Sequence, residues 1–214
     1  MRQRVSSEAK VPQNWSLFLA DSCNKIELFR YFPTSIEQQV VVGNKNLYVT
    51  TRQVVRKLWN GQDMLECNHE KSDTRVIIVH LAHALDDSST AMIFTGDTDV
   101  IIILLANFHH FLLINPHAQI LICFKASKTT KMISMNRLAK NLVTITCKGL
   151  ALFHSLTGCD STSSFRFKGK RLCYNARKRV PSFMTECAQL KQFNVTDSLR
   201  NAVDSFVCHL YSHD

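Results

Sequence analysis

The chain has 214 residues, 45% of them hydrophobic, eight cysteines and a formal charge of +9. That is enough apolar content for one good core, with no clear linker, repeat or low-complexity tract; the longest apolar run, residues 100–106, is far short of the ~20 residues a membrane-spanning helix needs. The cysteines include no C-x-x-C pair, which argues against a zinc ribbon or finger, and no secretory h-region opens the chain, so reduced thiols in the nucleus or cytoplasm are expected.

In chain order, residues 1–10 are polar and strandless, and helices are expected over 13–20 and 22–31, the second broken by Pro33. Segments 39–42 and 47–51 are β-rich, with Gly43-Asn44-Lys45-Asn46 as a hairpin-like link. Val76, Ile77, Leu81 and Leu85 supply apolar helical positions that predict a helix over 70–84. Residues 90–95 read as a buried strand ended by Gly96, the run from Val100 as a short helix, and 119–124 as a second apolar strand, followed by a short strand near 132–134. Helices are then expected over 135–142, 145–156, 182–192 and 196–211. Alternation of this kind, with nearly continuous apolar strands, predicts an α/β fold: a mostly parallel central sheet flanked by helices, with a C-terminal helical extension. The expected layout is a helical segment over 1–35, an α/β core over 36–164, and a basic, helical region of the same domain over 165–214.

Three acidic motifs interrupt these elements: His69-Glu70-Lys71-Ser72-Asp73-Thr74, Gly96-Asp97-Thr98-Asp99-Val100 and Thr157-Gly158-Cys159-Asp160-Ser161. Clustered carboxylates beside buried strands are costly unless a cation or substrate offsets their repulsion. Asp97 and Asp99 follow a strand, and in extended chain side chains two apart share one face. They would then stand at the carboxyl end of a strand, where open α/β sheets place their ligand crevices. The competing use is an N-cap for the helix that follows. Glu70 and Asp73, three apart, share a helix face or form the acidic first turn of a helix. Asp160, taken alone, is a loop residue.

Charge distribution says more than total charge. From Val100 to Thr185 the only acid is Asp160, against thirteen Lys and Arg. Such a stretch suits a surface that meets nucleic acid. Its densest part is Arg166, Lys168, Lys170, Arg171, Arg177, Lys178 and Arg179, interleaved with Phe165, Phe167 and Tyr174, a mixture that combines backbone contacts with base stacking. A solvated basic loop or a bipartite nuclear-import signal are the other readings. Cys123 and Cys147 read as core and Cys159 as packing; the histidines, including His80, His83 and His154, read as structural or solvent-facing.

Taken together, Glu70-x-x-Asp73-Thr74-Arg75, the strand ending in Asp97-Thr98-Asp99-Val100, and Leu156-Thr157-Gly158-Cys159-Asp160-Ser161-Thr162-Ser163-x-Phe165 followed by Lys168-Gly169-Lys170 resemble the PIN-like and flap-endonuclease-like nuclease domains. The likeness is strongest to an uncharacterised branch carried by mobile-element-derived animal genes, and it runs over 68–170, with a weaker echo in 11–32. It implies that Glu70, Asp73, Asp97, Asp99 and Asp160 hold two Mg²⁺ or Mn²⁺ ions for phosphodiester hydrolysis in DNA or RNA, with Asp97, Asp99 and Asp160 as the core of the site. Hard cations take oxygen ligands, which accounts for carboxylates rather than His or Cys. No membrane and no specific protein partner is implied.

Three departures define the alternative, a catalytically decayed nucleic-acid-binding protein derived from a mobile element. Lys71 stands where the branch has an acid, Phe167 stands where it has the first glycine of G-K-G-K, and the first strand with its metal-binding Asp is not found. A haloacid-dehalogenase-type phosphatase is disfavoured: its motif would lie mid-chain here, with an apolar run in place of the glycine turn.

Overall fold

The structure, a computed structural model, describes residues 5–6, 8–39, 48–51, 54–57, 63–66, 74, 80–87, 89–126, 129–190 and 195–212. The chain divides into two compact units, Met1–Lys71 and Ser72–Asp214.

In the first unit, α1 (Trp15–Ala20) starts where the Asn14 side chain accepts from the Leu17 N–H, an ordinary N-cap. α2 spans Ser22–Gln39. It therefore runs on through Pro33, where the sequence predicts a break: a proline inside a helix removes one backbone hydrogen bond, and here the helix continues past it. Buried Asn24 is satisfied by donating from Nδ2 to the Phe18 carbonyl at 3.1 Å. Strands β1 (Tyr48–Thr51), β2 (Val54–Lys57) and β3 (Asp63–Glu66) form an antiparallel sheet in that order. The expected link over 43–46 lies outside the described residues.

The second unit carries a separate three-stranded sheet, in the order β4 (Thr90–Thr95), β5 (Gln119–Ala126), β6 (Thr129–Ser134). Before β4 lies α3 (Ala82–Asp87); of the helix expected over 70–84, residues 70–73 and 75–79 lie outside the described residues. β4 and β5 are parallel because α4 (Thr98–Ile114) returns the chain across the sheet, and β5 and β6, separated by only two residues in sequence, are antiparallel. The fold is thus mixed α/β with one parallel and one antiparallel pairing in this small open sheet, where a mostly parallel sheet is expected from the sequence. α4 is long rather than short. Val100, Leu104, Leu105, Phe108 and Phe111 bury one stripe of it over 17 residues, so the apolar run over 100–106 is only its first half.

One face of the sheet, with Ala91, Ile93, Ile120 and Ile122 buried, joins that stripe and α6 (Thr144–Leu156) in a single core. α5 (Met135–Leu142) precedes α6, and its Asn136 ties the start of β5 in place by accepting from the Ile120 N–H and donating to the Ala118 carbonyl. α7 (Lys170–Ala176), a 3₁₀ turn (Arg177–Arg179), α8 (Phe183–Gln189) and α9 (Asp197–Tyr211) complete the unit. Their aromatic side chains close the core: Phe183 and Phe206 stack at 4.6 Å, with the Phe153 ring edge-on to both. No described helix is long and apolar enough to cross a membrane.

Candidate functional site

Asp97 stands just past the carboxyl end of β4 and is the N-cap of α4: its Oδ1 accepts from the Asp99 N–H at 2.8 Å, while its own N–H donates to Thr95 Oγ1 at 3.0 Å. Asp99 is therefore in the first helical turn and not in extended chain. The two acids are neighbours at the strand end because a cap and a first-turn position adjoin, which is a different geometry from the shared strand face that the spacing suggests. A first-turn carboxylate also favours the helix dipole.

Asp99 has a partner that sequence reasoning does not single out. Its Oδ1 lies 2.8 Å from His154 Nε2, and the two side chains are only 16% and 12% exposed. His154 sits in the last turn of α6, which packs against α4 in the shared core.

α6 ends in a compact turn. Buried Thr157 donates to the Phe153 carbonyl at 2.8 Å, and Thr162 Oγ1 donates to the Ser155 carbonyl at 2.7 Å while accepting from the Cys159 N–H. Gly158 is required here. Its φ is 99°, and a Cβ would sit 2.6 Å from that of Ser164. Asp160, next in the turn, is exposed. Cys159 accepts or shares hydrogen bonds with Ser161 and Thr162, which lower its thiol to about 7. Burial pushes the Cys147 and Cys173 thiols up, and burial beside Glu186 takes Cys187 up to about 12. Those three are packing residues.

Of the basic residues, Lys170 is committed within the chain. Its ammonium donates to the carbonyls of His154 and Gly158 and to Thr157 Oγ1, so it caps the free carbonyls at the end of α6. Desolvation lowers its pKa, opposed by nearby Cys159, Asp99 and Cys173. Arg177 is half-buried with its guanidinium 3.9 Å over the Tyr174 ring, and its Nε has no partner among the described residues. Lys168 is half-buried, 5.2 Å from the Tyr211 ring, and Arg166, Arg171, Lys178 and Arg179 are exposed.

The structure thus brings Asp99, His154 and Lys170 together, with Asp97 beside them at the cap. Glu70, Lys71 and Asp73 lie outside the described residues. The donor chemistry of Asp97 and Asp99 suits a hard cation, but no group of three His, Cys, Asp or Glu that could hold a metal ion is gathered among the described residues. No protein-family model matches the chain, and neither a curated protein nor a solved structure is significantly similar to it.

Proposed function

We propose that this is a nuclease-like domain of the PIN and flap-endonuclease type, built on the parallel β4–β5 pair, which binds DNA or RNA through its basic stretch and hydrolyses phosphodiester bonds. The observation that carries the reading is the pair Asp97 and Asp99 just past the carboxyl end of a parallel strand, in the same unit as the acid-poor segment over 100–185. Asp97, Asp99 and Asp160 would hold Mg²⁺ or Mn²⁺; Glu70 and Asp73, outside the described residues, would join them only as the resemblance implies. Bound there, the ions supply an activated water and charge stabilisation at the leaving oxygen. His154 fixes the orientation of the Asp99 carboxylate through Oδ1, and Arg166, Lys168 and Arg171 position the phosphate backbone. The two basic clusters around Lys170-Arg171 and Arg177-Lys178-Arg179 also fit nuclear import.

A second reading, binding without cleavage, is favoured by one specific observation. Asp99 already has His154 as its partner, at 2.8 Å. The test is cleavage of labelled single-stranded, duplex and flapped DNA, and of RNA, in Mg²⁺ or Mn²⁺ against chelator, with Asp97→Asn/Asp99→Asn as control. Asn caps a helix as well as Asp does, so the control is expected to fold. Metal-dependent cleavage lost in the double variant is the expected result; binding without cleavage, unchanged in the variant, would establish the second reading.

A further inference from the structure

Three aromatic residues are interleaved with the basic cluster, and the structure separates them. Phe165 packs edge-on against Phe206 and Tyr211. Tyr174 is held between Phe153 and the Arg177 guanidinium. Phe167 is 85% exposed, the most exposed large hydrophobic side chain among the described residues.

Its backbone makes this exposure unusual. Phe167 has φ 59°, in the left-handed region that a bulky residue rarely occupies. Strain at such a residue is ordinarily held by packing of its side chain, and here there is almost none. An outlier of this kind points to a use. The Arg166 guanidinium lies 4.9 Å over the ring. The ring also borders a cavity of about 340 Å³ shared with Ser164, Phe165, Lys168, Gly169 and Lys170. That is the small end of the ~300–1,000 Å³ range of small-ligand clefts. The cavity is open at Gly169, where a Cβ would meet nothing within 4 Å. Because the Lys170 ammonium is taken by the end of α6, Lys168 is the lysine at this cavity placed to meet an anion.

We propose that Phe167 is a stacking platform for an unpaired nucleobase, with Lys168 and Arg166 taking the adjacent phosphates, so that the basic stretch engages single-stranded nucleic acid. The proposal rests on the nucleic-acid reading and narrows it. Every base has a π face that an aromatic ring can cover, a guanidinium on the ring adds to the attraction, and a duplex keeps its base faces covered.

The experiment is fluorescence anisotropy on the full chain, with labelled oligothymidine and oligouridine of equal length and a duplex of that length. Wild type should prefer a single strand over the duplex. Phe167→Gly should weaken single-strand affinity roughly tenfold, leave duplex affinity unchanged, and leave the melting temperature unchanged or higher, since glycine accepts this φ without steric cost. Phe167→Trp should retain single-strand affinity. If Phe167→Gly binds single strands as wild type does, or weakens single strand and duplex alike, the stacking role is overturned while nucleic-acid binding stands. If wild type binds none of the oligonucleotides, both readings fall.

Discussion

Lys168 and Lys170 are two residues apart in one basic motif, yet their ammonium groups face different chemistry. Lys170 donates to the carbonyls of His154 and Gly158 and to Thr157 Oγ1, acceptors that the end of α6 leaves without helical partners. Lys168 has the Tyr211 ring beneath it and otherwise borders the open cavity. Replacing Lys170 with Met keeps the aliphatic stem and strips three charge-assisted hydrogen bonds. Discounted for the exposure of this side chain, the expected loss is about 1–2 kcal/mol. Lys168→Met should cost less than about 0.5 kcal/mol and act on binding instead. Urea unfolding of both variants checks this through a shift in midpoint at constant slope; equal midpoints would mean that the Lys170 clamp carries no weight. The same contrast shows why composition alone assigned both lysines to a nucleic-acid surface: their charge is visible in the sequence, but the carbonyls that claim one of them are not.

At the scale of elements, α6 and α8 lie so close at Gly149 that a Cβ there would be 2.6 Å from the Met184 carbonyl oxygen and 3.0 Å from its Cε. Helix propensity alone would make Gly149→Ala stabilising by about 1 kcal/mol. The contact with backbone reverses the sign, and the variant should be destabilised by about 1–3 kcal/mol, measured by the same denaturation. A gain in stability would show that α8 can shift at little cost. Helices whose ends are set locally were legible in the sequence. Residues 135–142 and 196–211 emerge within about two residues of expectation because Ser134 and Thr196 cap them and their apolar periodicity lies within the segment, while 145–156 does so on periodicity alone, since Val143 makes no side-chain cap. An element set by distant packing was less legible: α4 extends to Ile114 because Phe108 and Phe111 reach the core. The sequence also misplaced the end of α2, which continues past Pro33. Phe167 shows both sides at once. It stands where the resembled motif has glycine, and its φ of 59° is a conformation that favours glycine. The pairing of Asp99 with His154, 55 residues apart in sequence, had no local signal at all.

Across the whole molecule, charge is segregated more than it is abundant. Thirteen cations and one acid lie between Val100 and Thr185, and that acid, Asp160, is exposed in the turn that leads into the basic cluster. Lys170 is held by its own hydrogen bonds and Arg177 lies against Tyr174; Arg166, Arg171, Lys178 and Arg179 are exposed and Lys168 is half-buried. If those five side chains each neutralise one phosphate of a single strand, counterion release sets the dependence of affinity on salt, with a slope of log K against log salt of about −3.5. Lys178→Ser/Arg179→Ser should reduce that slope by about 1.4. Lys170→Met should leave it nearly unchanged, because an ammonium bonded to the carbonyls of α6 releases no counterion from the nucleic acid. Binding titrations at several salt concentrations measure all three, and affinity independent of salt would show that the acid-poor surface is not what holds the ligand. A slope that falls by as much in Lys170→Met as it does per residue in the double variant would instead show that Lys170 leaves the end of α6 for the phosphate on binding.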